Sequence, residues 1–436
     1  MFLFLFLILI SAFYCETQAK LFDSKSFELQ NGMQVVVVEN HRAPVVSSMI
    51  WYNVGSVDET YGKSGLAHFL EHLMFKGTEK FKNGEFSDFI SKNGGTENAF
   101  TSFDYTAYYQ IIPSEKIEKI LEMEADRMKN LVLSKKQVET EKSVILEERS
   151  QRIDSSPSSV LDESMRKSLF PNHTYGTPII GWKHEIENLT YEDIFEFYNK
   201  YYDPSNAVLV LSGDIKIKDA KRITKKYFGK IKSNKVKQKR NYLVDPPLKT
   251  KIQINHEHPN VEQPIWKKLY KTISLTESID DGLALDIGLE IIAGGKTSIL
   301  YQELVTKQKI FAAVGGYYQG LTKGPGNIYF YAIPNKNLSP KDIDIKINDV
   351  LKNVIKKGIS RDDFNRKKKE YYYNFIYQQD GIGKPAQIIG EALSVGIKLE
   401  DLENWDQRIN ELSIEKVNEA LNRFLENKNF VTGMLK

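Results

Sequence analysis

HFLEHLMFKGT, running from His68 to Thr78, places two of the chain's seven histidines four residues apart, with a glutamate immediately before the second. On a helix, residues i and i+4 share one face, so His68 and His72 aim their imidazoles at a common point. That spacing suits a metal, and a catalytic zinc site takes three protein ligands and leaves one position open. Glu71 is turned about 100° from His72 around the helix, so it does not join the pair as a ligand easily. Three residues from His68, it leans over the same turn, where a general base for a water attacking a carbonyl would stand.

A third ligand should come from another helix. ETEKSVILEERS, Glu139 to Ser150, places Glu141 and Glu148 seven residues, or two helical turns, apart on one face. Val144 and Ile145 fall between them and are expected to bury that side. One of the two acids would complete the site and the other would orient a ligand from behind. A solvated acidic helix is the bland alternative for this segment, and two buried structural histidines for the first. His41, His173, His184, His256 and His258 have no comparable setting and read as surface or structural.

With 41% hydrophobic, 27% charged and 11% aromatic residues, the 436-residue chain is ordinary globular material, long enough for two domains. A net charge of +3 is too small to make nucleic acid the main partner. The run MFLFLFLILISAFYC opens a leader over residues 1–19, with Thr17 and Ala19 as the small residues of a cleavage site. Export, most simply to the periplasm, is therefore expected; an uncleaved anchor or a lipidated Cys15 is the alternative. Cys15 is the only cysteine, so a chain without the leader has no thiolate ligand and no disulfide.

Strands are expected around Val35–Val38 and Val45–Ser56, a helix over Ser64–Lys76, a second over Asn83–Asn93, and paired strands in NAFTSFDYTAYYQIIP, Asn98 to Pro113. Helices should follow from Ser114 and over Lys135–Ile153. The lysine-rich stretch 232–251, with Pro246-Pro247, reads as a link between halves. The second half weakly repeats the first. Gly65-Leu66-Ala67 is echoed by Gly282-Leu283-Ala284, each expected to open a helix, and YYQIIP by YFYAIP. In that register Leu285, Gly288 and Leu289 stand opposite His68, Glu71 and His72, so the duplicate has the helix without the ligands. GGKTS, Gly294 to Ser298, lacks the earlier glycine of a phosphate loop, having Glu290 there, and reads as a turn between helices. No nucleotide site is expected.

HFLEH is the inverted HxxEH signature of the inverzincins. GLAHFLEHLMFKGT, GGTENAFTSFDYTAYY, ETEKSVILEE and YGTPIIG (Tyr175 to Gly181) follow in order, and together they resemble the pitrilysin-type M16 zinc peptidases, in the bacterial branch similar to mitochondrial processing peptidase. The resemblance implies an α+β fold of two similar α/β sandwiches, each an antiparallel sheet covered by helices, joined like a clamshell. The leader (1–19) would precede a catalytic half (20–235), a linker (236–250) and a half without ligands (251–436). It further implies one zinc ion held by His68, His72 and Glu148, with Glu71 as the base and Glu141 as the supporting acid. Asn98, Ala99 and Phe100 match the edge strand on which such enzymes lay a substrate peptide, a role with a physical basis in main-chain pairing.

Relatives also bring an arginine and a tyrosine from the second half to the substrate carbonyl. In LYQELVTKQKIFAAV, Leu300 to Val314, those places hold Val305 and Ala312, which donate no side-chain hydrogen bond. Either a paralogous partner subunit supplies the pair, a homodimer being the lesser option, or Tyr317 or Tyr318 takes the role. The expectation is a zinc endopeptidase acting on peptides or unfolded segments. The alternative is a non-catalytic peptide-binding or assembly subunit with a vestigial metal site.

Overall fold

A computed structural model describes residues 20–233, 240, 242–336 and 338–436. The leader and most of the lysine-rich part of the linker lie outside the described residues. The first sheet contains β1 (Lys25–Glu28), β2 (Gln34–Glu39), β3 (Val45–Tyr52), β4 (Thr96–Thr101), β5 (Thr106–Pro113) and β6 (Ala207–Gly213), in the order β1-β2-β6-β3-β5-β4. The second contains β7 (Ile252–His256), β8 (Ile265–Thr272), β9 (Phe311–Gln319), β10 (Gly326–Pro334) and β11 (Phe430–Leu435), in the order β7-β11-β8-β10-β9. Without β1 the two sheets share one plan. In each, the first strand pairs in parallel with the last, and the other pairings are antiparallel. The faint sequence echoes therefore mark a duplicated fold.

QVVVVE and AVLVLSG are apolar on both faces because both faces are covered. Val35 and Val37 enter the core of the first half, while Val36 and Val38 join a core shared with the second half. The cover on that second face comes from the other half of the chain: helix Lys384–Val395 packs on β3 and β6. Reciprocally, helix Pro157–Leu169 packs on β11, β7 and β8. Each crossing has a glycine where a side chain of the opposing element lies against the backbone. A Cβ on Gly390 would fall 1.9 Å from Trp51 Nε1, and one on Gly433 would fall 2.3 Å from Met165 Sδ. The two halves thus exchange helices and bury each other's sheets.

The linker is also tied down. Arg240 pairs with Asp58 at 2.6 Å and Asp104 at 3.0 Å, all three side chains being buried. The β9–β10 turn reaches the same cluster, with Lys323 N donating to Asp104 and Gly324 N to Tyr175 Oη. No helix among the described residues is long and apolar enough to cross a membrane.

The histidine helix spans Leu66–Leu73 and continues as a short 3-10 turn through Lys76. Gly65 begins it at φ 91°, a left-handed conformation, and a Cβ there would come within 2.7 Å of the Ile180 carbonyl. Glu59 accepts the otherwise unpaired amides of Gly65 and Ala67 at 3.0 and 2.9 Å. Leu66, Phe69, Leu70 and Leu73 are buried, each stabilising the helix by roughly 1.5–3 kcal/mol. The duplicate helix runs Ile279–Ala293, capped by Ser278. Gly282 therefore lies inside it, and does not open it as Gly65 opens its counterpart. A Cβ on Gly282 would meet Leu275 and the Tyr318 hydroxyl, which is why glycine stands there. GGKTS is indeed the turn that follows this helix.

Candidate active site

Ser134 starts the acidic helix Lys135–Arg149 with a capping box to Gln137, and the helix runs beside the histidine helix. Ile145 is fully buried, but Val144 is 47% exposed: i+3 from Glu141 carries it off the buried line through Glu141, Ile145 and Glu148, so it does not help bury that face. Glu148 Oε2 lies 3.4 Å from His72 Nε2 and 3.7 Å from His68 Nε2. The three ligand atoms are all within 4.8 Å of one another. Glu141 stands behind, its Oε1 3.0 Å from His72 Nδ1 and its Oε2 2.6 Å from Lys76 Nζ. Arg152 holds the other Glu148 oxygen at 3.0 Å.

Electrostatics keep the donors ready. Burial, followed by the charge of His72, holds His68 down to about 3, so its imidazole is neutral. Its Nδ1 is buried without a hydrogen-bond partner among the described residues. For His72 burial acts downward, but the Glu141 hydrogen bond and the charges of Glu71, Glu148 and Glu141 outweigh it and the net shift is upward. Glu141 is held down to about 2, first by the His72 hydrogen bond and then by Lys76. Burial pushes Glu71 up, against the opposing pull of a hydrogen bond from Thr101 Oγ1 at 2.5 Å.

Two imidazole nitrogens and a carboxylate oxygen face one another, and a proton on His72 Nε2 can bridge to only one of the other two at a time. A cation resolves this. For ligand bonds of about 2.1 Å, tetrahedral coordination puts donors about 3.4 Å apart, the spacing seen from Glu148 to the histidines. The residues present therefore fit a zinc-type ion.

A cavity of about 1410 Å³ surrounds the triad, walled by both halves. Asn98, Ala99 and Phe100 lie on β4, an edge strand paired only with β5, and all three line this cavity. The Ala99 amide is taken by the Asn98 side-chain oxygen at 2.8 Å, and the Phe100 ring packs edge-on against Trp51. Neither Val305 nor Ala312 lines the cavity; Val305 packs into the shared core and Ala312 is exposed elsewhere. Tyr318 does line it, with its hydroxyl donating to the Ile273 carbonyl at 2.9 Å, whereas Tyr317 stacks on Tyr329.

Thr101, Lys76 and Arg152 were not singled out in the sequence. Thr101 lies inside GGTENAFTSFDYTAYY, and strand alternation gave no reason to prefer it. Arg152 is four residues past Glu148, a spacing that signals an ion pair on a helix.

The duplicated two-sheet fold encloses a His–His–Glu cluster with a further glutamate on the same helix turn, the residue pattern of the inverted HxxEH motif. Residues 34–183 match the profile of insulinase (peptidase family M16), and residues 188–371 match that of the peptidase M16 inactive domain. The chain belongs to the M16 family. It is 29% identical to the zinc protease PqqE of Helicobacter pylori over 414 residues, 94% of this chain and 92% of that one. It is 24% identical to the mitochondrial-processing peptidase subunit beta of Dictyostelium discoideum over 417 residues, 92% and 86% of the two chains. The crystal structure of a protease from Helicobacter pylori superposes with a TM-score of 0.88 at 29% identity, covering 95% of this chain and 99% of that one.

Proposed function

We propose that the chain is a zinc-dependent endopeptidase acting on peptides or unfolded segments admitted to the chamber. His68, His72 and Glu148 hold one zinc ion, and the observation supporting this most directly is their convergence beside Glu71. The ion supplies a Lewis acid that polarises the scissile carbonyl and acidifies a water. Glu71 takes the proton of the attacking water on its carboxylate and passes it to the leaving amine. Thr101 keeps that carboxylate oriented, and Glu141 fixes the tautomer of His72 so that Nε2 presents its lone pair. The open edge of β4 at Asn98–Phe100 aligns the peptide by main-chain hydrogen bonds.

The carbonyl under attack also needs donors, and Val305 and Ala312 offer none. A paralogous partner subunit that completes the site is therefore part of this reading, with a homodimer as the lesser option. A relative named as a subunit of a processing peptidase supports it. The leader expected over residues 1–19 would place this action after export, in the periplasm or tethered at the membrane. The same missing donors favour a second reading, a peptide-binding or assembly subunit with a vestigial metal site.

Zinc content and cleavage of a mixed peptide library, with and without chelator, test the proposal. One zinc per chain and cleavage that stops on chelation and returns with zinc are expected. A zinc-loaded chain that binds peptides but cleaves none, alone or with a paralogous subunit, would favour the second reading.

A further inference from the structure

Beyond the triad, the chamber wall is formed by helix Pro157–Leu169, which presents three charged residues to it: Asp162, Glu163 and Arg166. Two of these are already matched. Asp162 gives both oxygens to Lys267 Nζ at 2.8 Å, and Glu163 takes Arg149 through hydrogen bonds of 2.9 and 3.0 Å. Arg166 is left over. Its Nη1 is buried without an acceptor, and no hydrogen bond or ion pair of its side chain exists among the described residues. Its guanidinium lies 5.2 Å from the centre of the Phe103 ring, a contact that fixes the planar group without satisfying its donors.

The location matters as much as the vacancy. Phe103 lies two residues past Thr101, the end of β4 and the anchor of Glu71. Phe103, whose ring holds the guanidinium, lies just past the end of β4, so a peptide paired to β4 beside Glu71 runs along the cavity wall that also presents Arg166. A rigid guanidinium held there by an aromatic ring, with its neighbouring acids taken by other cations, matches one ligand chemistry best: a carboxylate bound through two parallel hydrogen bonds.

We propose that Arg166 recognises a carboxylate of the bound peptide, either an acidic side chain or the chain's own C-terminus, a few residues from the bond held at the triad. This rests on the reading of the chamber as a peptide site. It makes acidic or C-terminal segments preferred substrates.

The test is peptide binding to the zinc-loaded, full-length Glu71→Gln protein, followed by fluorescence anisotropy. Three dye-labelled peptides that differ only in the central residue or the C-terminal group are compared: central Glu with an amidated end, central Gln with an amidated end, and central Gln with a free C-terminal carboxylate. One of the two carboxylate peptides should bind about tenfold or more tightly than the fully neutral one, and which of them does so identifies the source of the group. Adding Arg166→Gln should abolish that preference, and Arg166→Lys should keep part of it, with melting temperatures showing that each variant is folded. Equal binding of all three peptides, or a preference unchanged in Arg166→Gln, would overturn the assignment while leaving the peptide chamber standing. No binding of any peptide would remove the chamber reading and this inference with it.

Discussion

Glu141 Oε1 accepts a hydrogen bond from His72 Nδ1 at 3.0 Å, while its other oxygen holds Lys76 at 2.6 Å. Because this carboxyl is held down to about 2, chiefly by the His72 bond, it stays an acceptor throughout the working pH range and keeps the proton on Nδ1. Glu141→Gln should weaken zinc affinity about 10–100-fold, measured by competition with a chromophoric chelator. Unchanged affinity would show that Glu141 serves only to pair Lys76.

The two histidines should differ when zinc binds. His68 is already neutral down to about 3, because burial and then His72 oppose its charging. His72 is shifted upward despite its burial, by Glu141 and the other nearby carboxylates. Of the two histidines, His72 is therefore the one at which a proton competes with zinc. As pH falls through the raised His72 value, apparent affinity should drop by roughly one log unit per pH unit. Calorimetry in buffers of different ionisation enthalpy should count about one proton released near pH 6, and two would contradict the assignment.

Thr101 donates to Glu71 and so favours its charged form, working against burial. Removing that donor in Thr101→Val raises the Glu71 value further. The acid limb of the pH–activity profile should then move to higher pH by about one unit, about 1.4 kcal/mol, with activity recovering at alkaline pH. A uniform loss at every pH would mean that Thr101 acts on packing instead.

Gly390 marks the crossing of helix Lys384–Val395 over Trp51, where a Cβ would fall 1.9 Å from Nε1. Gly390→Ala should lower stability by about 1–3 kcal/mol, read as a fall in melting temperature. Gly229→Ala is the control, since its Cβ would meet nothing nearer than 3.7 Å.

What the sequence disclosed and what it hid divide along physical lines. The histidine pair, Glu71 and the two glutamates of the acidic helix were legible because helical periodicity alone decides which face they share. The duplicated sheets were legible only through weak echoes, yet their strand orders agree. The helix exchange was not legible, since nothing local in Lys384–Val395 says that it covers strands β3 and β6 of the other half, far earlier in the chain. The Thr101–Glu71 bond is likewise tertiary, joining a strand to a helix. Val144 was misplaced by one position around its helix, where a single residue decides between core and solvent. Arg166 stands out only once its neighbours' partners are known.

The most direct test of the account compares the chain from Lys20 onward with its Glu71→Gln variant for bound zinc and for peptide cleavage, each alone and with a paralogous subunit. The account predicts one zinc in both proteins and cleavage by the unmodified protein only, with a loss of about 10²–10⁴-fold in the variant. Zinc in neither protein, or equal cleavage by both, would contradict it.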